Sequence, residues 1–160
     1  MLLKLLGALA VGLFATRLTF HARHLFSERV LQLEGFLKLL RHTREKIACF
    51  RTPTPEIFRS FENDALARAG VLARLDGGLA AALEGARAGL YLDEEELRPL
   101  RDFAETLGSG FCEEEVARCD LAIAAVTEAL SCRRESLPRA SRLCRTLVIG
   151  ASLTVIIVLI

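Results

Sequence analysis

The sequence predicts an all-α protein: an antiparallel helical bundle flanked by an N-terminal apolar helix and a C-terminal transmembrane helix. Three observations carry that expectation. In the middle of the chain, apolar residues recur at spacings of three and four with charged residues between them, the period of a helix that buries one face. Strand patterns are nearly absent, and the β-branched "LTVIIVLI" at the C-terminus has the length, position and flanks of a membrane helix. Both ends are uncharged apolar runs. They raise the mean hydropathy to +0.34, although hydrophobic residues (52%) and charged residues (26%) stand in an ordinary globular ratio. The 160 residues suit one domain, with expected boundaries at 1–24 for the N-terminal membrane or interfacial helix, 25–142 for a helical cytoplasmic domain and 143–160 for the anchor.

The first run, "LLGALAVGLFAT" (Leu5 to Thr16), is shorter than the roughly 20 residues a spanning helix uses. Lys4 before a short apolar core also describes a secretory signal peptide. No small-x-small cleavage site precedes Arg17, however, and the helical pattern continues beyond it, which favours a retained membrane or interfacial helix. The last run, "TLVIGASLTVIIVLI" (Thr146 to Ile160), is extended by Leu143 and Cys144, with Arg145 able to snorkel to the headgroups, and reads as a tail anchor. Arg17, Arg23 and Arg29 follow the first run, and Arg133, Arg134, Arg139, Arg142 and Arg145 precede the second. The positive-inside rule therefore puts the middle of the chain in the cytoplasm, with Arg139, Arg142 and Arg145 as the anchor's flank.

Val30, Leu33, Phe36, Leu37, Leu40, Ile47 and Phe50 mark one face of an amphipathic helix, with a boundary to the apolar run left open near Ser27 or the His21 to His24 stretch. "FRTPTPEIF" (Phe50 to Phe58) stops it. Pro53 and Pro55 lack an amide donor and push each preceding threonine out of the α region, so the helix must end by about Thr52. Thr54 is then placed as an N-cap, Pro55 at the first helical position and Glu56 in the first turn. The second helix is expected through Ile57, Phe58, Phe61 and Leu66 to Ala69, with Gly70 ending it.

"DGGLAAALEGARAG" (Asp76 to Gly89) reads as an Ala-rich helix with Leu79, Leu83 and Ala86 on one face. In the next helix Asp93 and Glu96 form a capping box, Pro99 should kink it or shift its start, and Gly108 and Gly110 stop it. A last helix starts near Glu113 and carries Val116, Cys119, Ile123, Val126 and Leu130, with Pro138 interrupting it before the anchor.

Lysine and arginine (21) nearly balance aspartate and glutamate (20), which excludes the broad basic footprint of a nucleic-acid binder. The five cysteines form no CxxC pair, and an odd number leaves one unpaired, so they are expected reduced. His21 and His24 share a helical face but lack a third ligand, so no metal is expected. "DEEE" (Asp93 to Glu96) and "EEE" (Glu113 to Glu115) sit where helix starts favour negative charge, and need no acid/base role. With no P-loop, dinucleotide turn or nucleophile motif, neither an enzyme nor a cofactor is expected.

Taken together, "ERVLQLEGFLKLLRHTREKIACFRTPTPEIF" (Glu28 to Phe58), "LGSG" (Leu107 to Gly110) and "CDLAIAAVTEALSCRRESLPRASRLCRTLVIGASLTVIIVLI" (Cys119 to Ile160) resemble stage III sporulation protein AB, a family similar to the platform proteins of type II secretion and type IV pilus systems. Thr54, Cys144, Val148 and Glu115 depart from that pattern, which puts in doubt contacts carried over through them. The resemblance implies a noncatalytic membrane component of the channel-like complex between mother cell and forespore, required for spore formation. Its implied place is the mother-cell membrane around the forespore. The implied partners are the bilayer, other stage III sporulation membrane proteins and a secretion-type ATPase, stage III sporulation protein AA. It also suggests that Thr52, Pro53, Thr54, Pro55 and Glu56 form a partner-facing corner, the alternative being a purely structural turn. The rival reading of the whole chain is a platform component of a general secretion or pilus system.

Overall fold

The computed structural model describes the backbone of residues 2–50 and 54–159, and the side chains of residues 17, 24–49 and 56–135. Among the described residues all regular structure is helical: α1 (Leu2–Glu45), α2 (Thr54–Arg59), α3 (Asp64–Arg68), α4 (Leu79–Gly85), α5 (Glu94–Thr106) and α6 (Cys112–Leu159). The chain divides into two compact units, Glu28–Cys132 and the combination of Met1–Ser27 with Arg133–Ile160.

Helix α1 runs without a break through His21 to Ser27, where no glycine or proline interrupts it, and ends in a π turn over Lys46–Phe50. Its termination ahead of the two prolines agrees with the sequence reading. The single helix expected from Ile57 to Ala69 is instead two, α2 and α3. At the end of α2 the Ser60 hydroxyl donates to the Ile57 carbonyl at 3.0 Å and the Phe61 amide to the Phe58 carbonyl at 3.2 Å, which uses up the acceptors a continuing helix would need. Asn63 then adopts an extended conformation, and its side-chain oxygen accepts the Leu66 amide at 3.1 Å, so a fresh N-cap starts α3. Gly70, at φ 79°, ends α3 as expected. Its amide donates to the Ala67 carbonyl and that of Val71 to the Leu66 carbonyl, both at 3.0 Å, the two bonds of a Schellman motif.

The Ala-rich segment is also shorter than expected. Only Leu79–Gly85 is α-helical, between 3₁₀ turns over Leu72–Gly77 and Arg87–Gly89. Gly89 shows why the chain tightens there: a β-carbon on it would stand 2.4 Å from the Ala69 carbonyl oxygen, so only a glycine lets this backbone pass α3. The expected face survives, with Leu79, Leu83 and Ala86 all buried.

Asp93 caps α5, and Glu96 completes the capping box by accepting the Asp93 amide at 3.0 Å. This cap fixes the helix start at Glu94 and leaves Pro99 inside, where it removes one amide donor from the solvent side of the exposed Glu95. Gly108, at φ 86°, follows the last turn. The expected interruption at Pro138 is absent, since α6 is helical from Cys112 to Leu159. A proline ring already holds a helical φ, so it can remove one hydrogen bond without ending the helix.

Within Glu28–Cys132 one core draws on every helix. Leu33, Phe36 and Leu40 of α1 join Ile57 and Phe58 of α2, Leu66 of α3, Leu83 of α4, Leu97, Leu100 and Phe103 of α5, and Cys119, Val126 and Leu130 of α6. Val30, Ile47, Phe61 and Ile123 pack at its margin. α4 packs on both the Leu72–Gly77 turn and α5, closing that side of the core.

Candidate partner-docking site

Of the residues expected at the partner-facing corner, Thr52 and Pro53 lie outside the described residues, and Thr54 and Pro55 open α2 with side chains that also lie outside them. Glu56 is exposed in the first turn of α2, as the capping argument required. The far side of the corner is held by polar and ring contacts. His42 of α1 lies 3.0 Å from the Ser60 hydroxyl, and its ring packs against Phe61 with centroids 5.6 Å apart. These contacts tie the end of α1 to the segment after α2.

A second corner lies at the same end of the domain. The Cys112 thiol, at the start of α6, donates to the Ile47 carbonyl in the π turn at 3.4 Å, which brings the "LGSG" loop beside the end of α1. That loop is locked by Arg118. Its guanidinium donates to the Thr106 carbonyl and the Ser109 hydroxyl, each at 2.9 Å, and to the Glu115 carboxylate at 3.0 Å. The same Glu115 oxygen accepts the Gly110 amide at 2.9 Å, while its other carboxylate oxygen is buried with no hydrogen-bond partner among the described residues. Next to this rigid loop Phe111 is 82% exposed. Helical periodicity did not single out this exposed aromatic side chain. The sequence signal was its place between a glycine and an acidic helix start.

Polar links, two of them buried or partly buried, also join α1 to the rest of the domain. Arg29 of α1 donates through Nε to Glu96 at 2.9 Å, and its Nη2 pairs with both Glu96, at 2.7 Å, and Asp93. Arg29 is 14% exposed and Glu96 6%. Burial alone would lower the Arg29 pKa, but the hydrogen bonds and charges of Glu96 and Asp93 outweigh it and leave it raised. Buried Gln32 clamps the loop before α5, donating to the Gly89 carbonyl at 3.0 Å and accepting the Tyr91 amide at 2.8 Å. Arg44 and Asp120 form a two-bond pair, at 2.6 and 3.2 Å, between α1 and α6.

The acidic helix starts act as the sequence suggested: Glu96 is a capping and ion-pairing residue, and Glu115 braces a loop. Cys119 is fully buried, and its thiol is pushed up to about 11 by burial and by the Glu115 and Asp120 carboxylates. Cys49 and Cys132 are free and exposed. His24 is exposed, His21 has no described side chain, and among the described residues no group of three metal-ligating side chains is assembled. Arg139, Arg142 and Arg145 fall within α6, with side chains outside the described residues. Among the described residues no helix is long and apolar enough to cross a membrane; the side chains of 143–160, on which the anchor expectation falls, lie outside them.

No curated protein matches the chain significantly. A solved structure described as stage III sporulation protein AB (SpoIIIAB) is similar in fold, with a TM-score of 0.57 at 18% identity, over 70% of this chain and 98% of that one. The model of the family described as stage III sporulation protein AB matches residues 4–160. The chain therefore belongs to the stage III sporulation protein AB family.

Proposed function

We propose that this chain is a noncatalytic, membrane-anchored component of the secretion-like complex between mother cell and forespore, and that its helical domain docks a secretion-type ATPase, stage III sporulation protein AA, from the cytoplasmic side of the mother-cell membrane. Family membership supports the sporulation role. The observation that carries docking is the Leu-Gly loop, tied to the end of α1 through Cys112 and Ile47, with Phe111 exposed beside it. The Thr52 to Glu56 reversal would set the angle of that end. The apolar runs Leu5 to Thr16 and Thr146 to Ile160, with Arg139, Arg142 and Arg145 preceding the latter, support anchoring to the bilayer and contact with other stage III membrane proteins.

Deletion of the gene in its spore-forming host tests the role. Arrest of forespore development after engulfment, rescued by the wild-type chain, is the expected result, and normal spore formation in the deletion strain would refute it.

A further inference from the structure

A shallow groove on the surface of Glu28–Cys132 runs away from the Leu-Gly corner, sharing with it only Thr106 and Arg118 at one end. It is made of two adjoining depressions that share Pro99 and Asp102 of α5 and Ala125 of α6. On α6 it extends from Arg118 to Cys132, about 21 Å at 1.5 Å per residue, which is the length of a helix of about 14 residues. Its floor is apolar, formed by Pro99, Ala125 and Ala129 with Leu121 at one edge. Leu121 is 73% exposed, which carries the apolar surface of the groove out to solvent at that edge.

The rim has a definite sign. Glu95, Asp102 and Glu128 are exposed along the groove, and none of the three is ion-paired among the described residues. Glu96 is neutralised by Arg29 and Arg118 by Glu115, so among the described lining residues Arg98 is the one rim cation set against three carboxylates. The groove is therefore an apolar trough with a net negative edge. An anionic lipid surface would be repelled by it, and a second copy meeting it face to face across a two-fold axis would oppose one acidic rim to another. A helix with an apolar stripe and lysine or arginine on its flanks fits both features, in the helix-in-groove mode of recognition.

We infer that the α5/α6 groove is a docking site for a basic amphipathic helix, about four turns long, of a partner protein. This site is separate from the Thr-Pro corner and does not depend on the ATPase reading. The complementary charges would speed encounter and fix orientation, and the leucine would supply the apolar anchor.

The test uses the full chain in nanodiscs of zwitterionic lipid and a fluorescent 14-residue peptide with leucines on one helical face and lysines on its flanks. Controls are the same residues scrambled, and a version with glutamate for lysine. The facial peptide should bind saturably, the scrambled one at least tenfold more weakly, and the glutamate version not measurably. Leu121→Ser should weaken binding about tenfold, and Asp102→Asn with Glu128→Gln should weaken it severalfold and flatten its salt dependence. All three positions are exposed or at the groove's rim, so the fold should survive, as circular dichroism would verify. Equal binding of the scrambled peptide, indifference to Leu121→Ser, or conversion of a dimer to a monomer by Leu121→Ser would each overturn the inference.

Discussion

Replacing Arg29 by methionine keeps most of the aliphatic volume and removes the guanidinium that joins α1 to the start of α5. Glu96, 6% exposed, would keep the Asp93 amide as a partner but lose both bonds from Arg29 and the compensating charge. Removing one member of a buried pair costs about 3–5 kcal/mol, because the other charge stays buried. Asp93 is 55% exposed and can turn to water, which places the expected loss near the lower end, about 3 kcal/mol. For a helical unit of this size that corresponds to a fall in Tm of roughly 12 °C. Glu96→Met alone should cost about 2–3 kcal/mol, since it also removes half of the capping box. The double variant removes both charges, and its cost should fall short of the sum by about 2 kcal/mol. Thermal melts of the four full-length proteins, followed by circular dichroism in one detergent, give the cycle. Additivity within about 0.5 kcal/mol would refute the claim that Arg29 and Glu96 act as a coupled pair.

Gly89→Ala should destabilise the domain by about 1–3 kcal/mol, because the new methyl group meets the Ala69 carbonyl rather than a yielding side chain; an unchanged melt would contradict the close approach. The Cys119 thiol, with a usual value of 9.0 and a folded value of about 11, favours the protonated form in the native state. Its contribution to stability is complete below pH 9 and is lost as pH rises from 9 to 11. At pH 8 a thiol reagent should therefore modify Cys49 and Cys132 in the native protein and reach Cys119 only after denaturation, whereas rapid native labelling of Cys119 would be inconsistent with its burial. A variant retaining Cys49 alone then reports topology in cells. An impermeant reagent should label it only after permeabilisation if the domain is cytoplasmic, and labelling of intact cells would reverse the arginine argument.

The parts of the fold that follow from backbone chemistry were legible in the sequence. The first helix stops ahead of the two prolines, Gly70 and Gly108 mark helix ends, and the Asp93 to Glu96 pair is a capping box. Periodicity likewise located the core face of α1 and α6. What escaped it depends on tertiary partners. The break between α2 and α3 turns on whether Asn63 caps or continues, and two competing local bonds, from Ser60 and Phe61, decide that. The shortening of the Ala-rich segment follows from a backbone approach between Gly89 and Ala69, far apart in sequence, and Ala-rich propensity has no bearing on it. Helical continuity through Pro138 shows the opposite limit, in which a local breaker is tolerated at the loss of one bond. At the corner, the role of Arg118 in bracing the Leu-Gly loop depends on the approach of Thr106, Ser109 and Glu115, which spacing alone did not reveal.

The most direct measurement of the central claim is co-purification of stage III sporulation protein AA with the full-length chain from sporulating cells, comparing the wild type with a variant carrying Pro53→Ala and Pro55→Ala. If the Thr-Pro reversal sets the docking end, the variant should remain in the membrane fraction and lose the ATPase. Equal recovery of the ATPase with both proteins would contradict that account and leave the corner a purely structural turn.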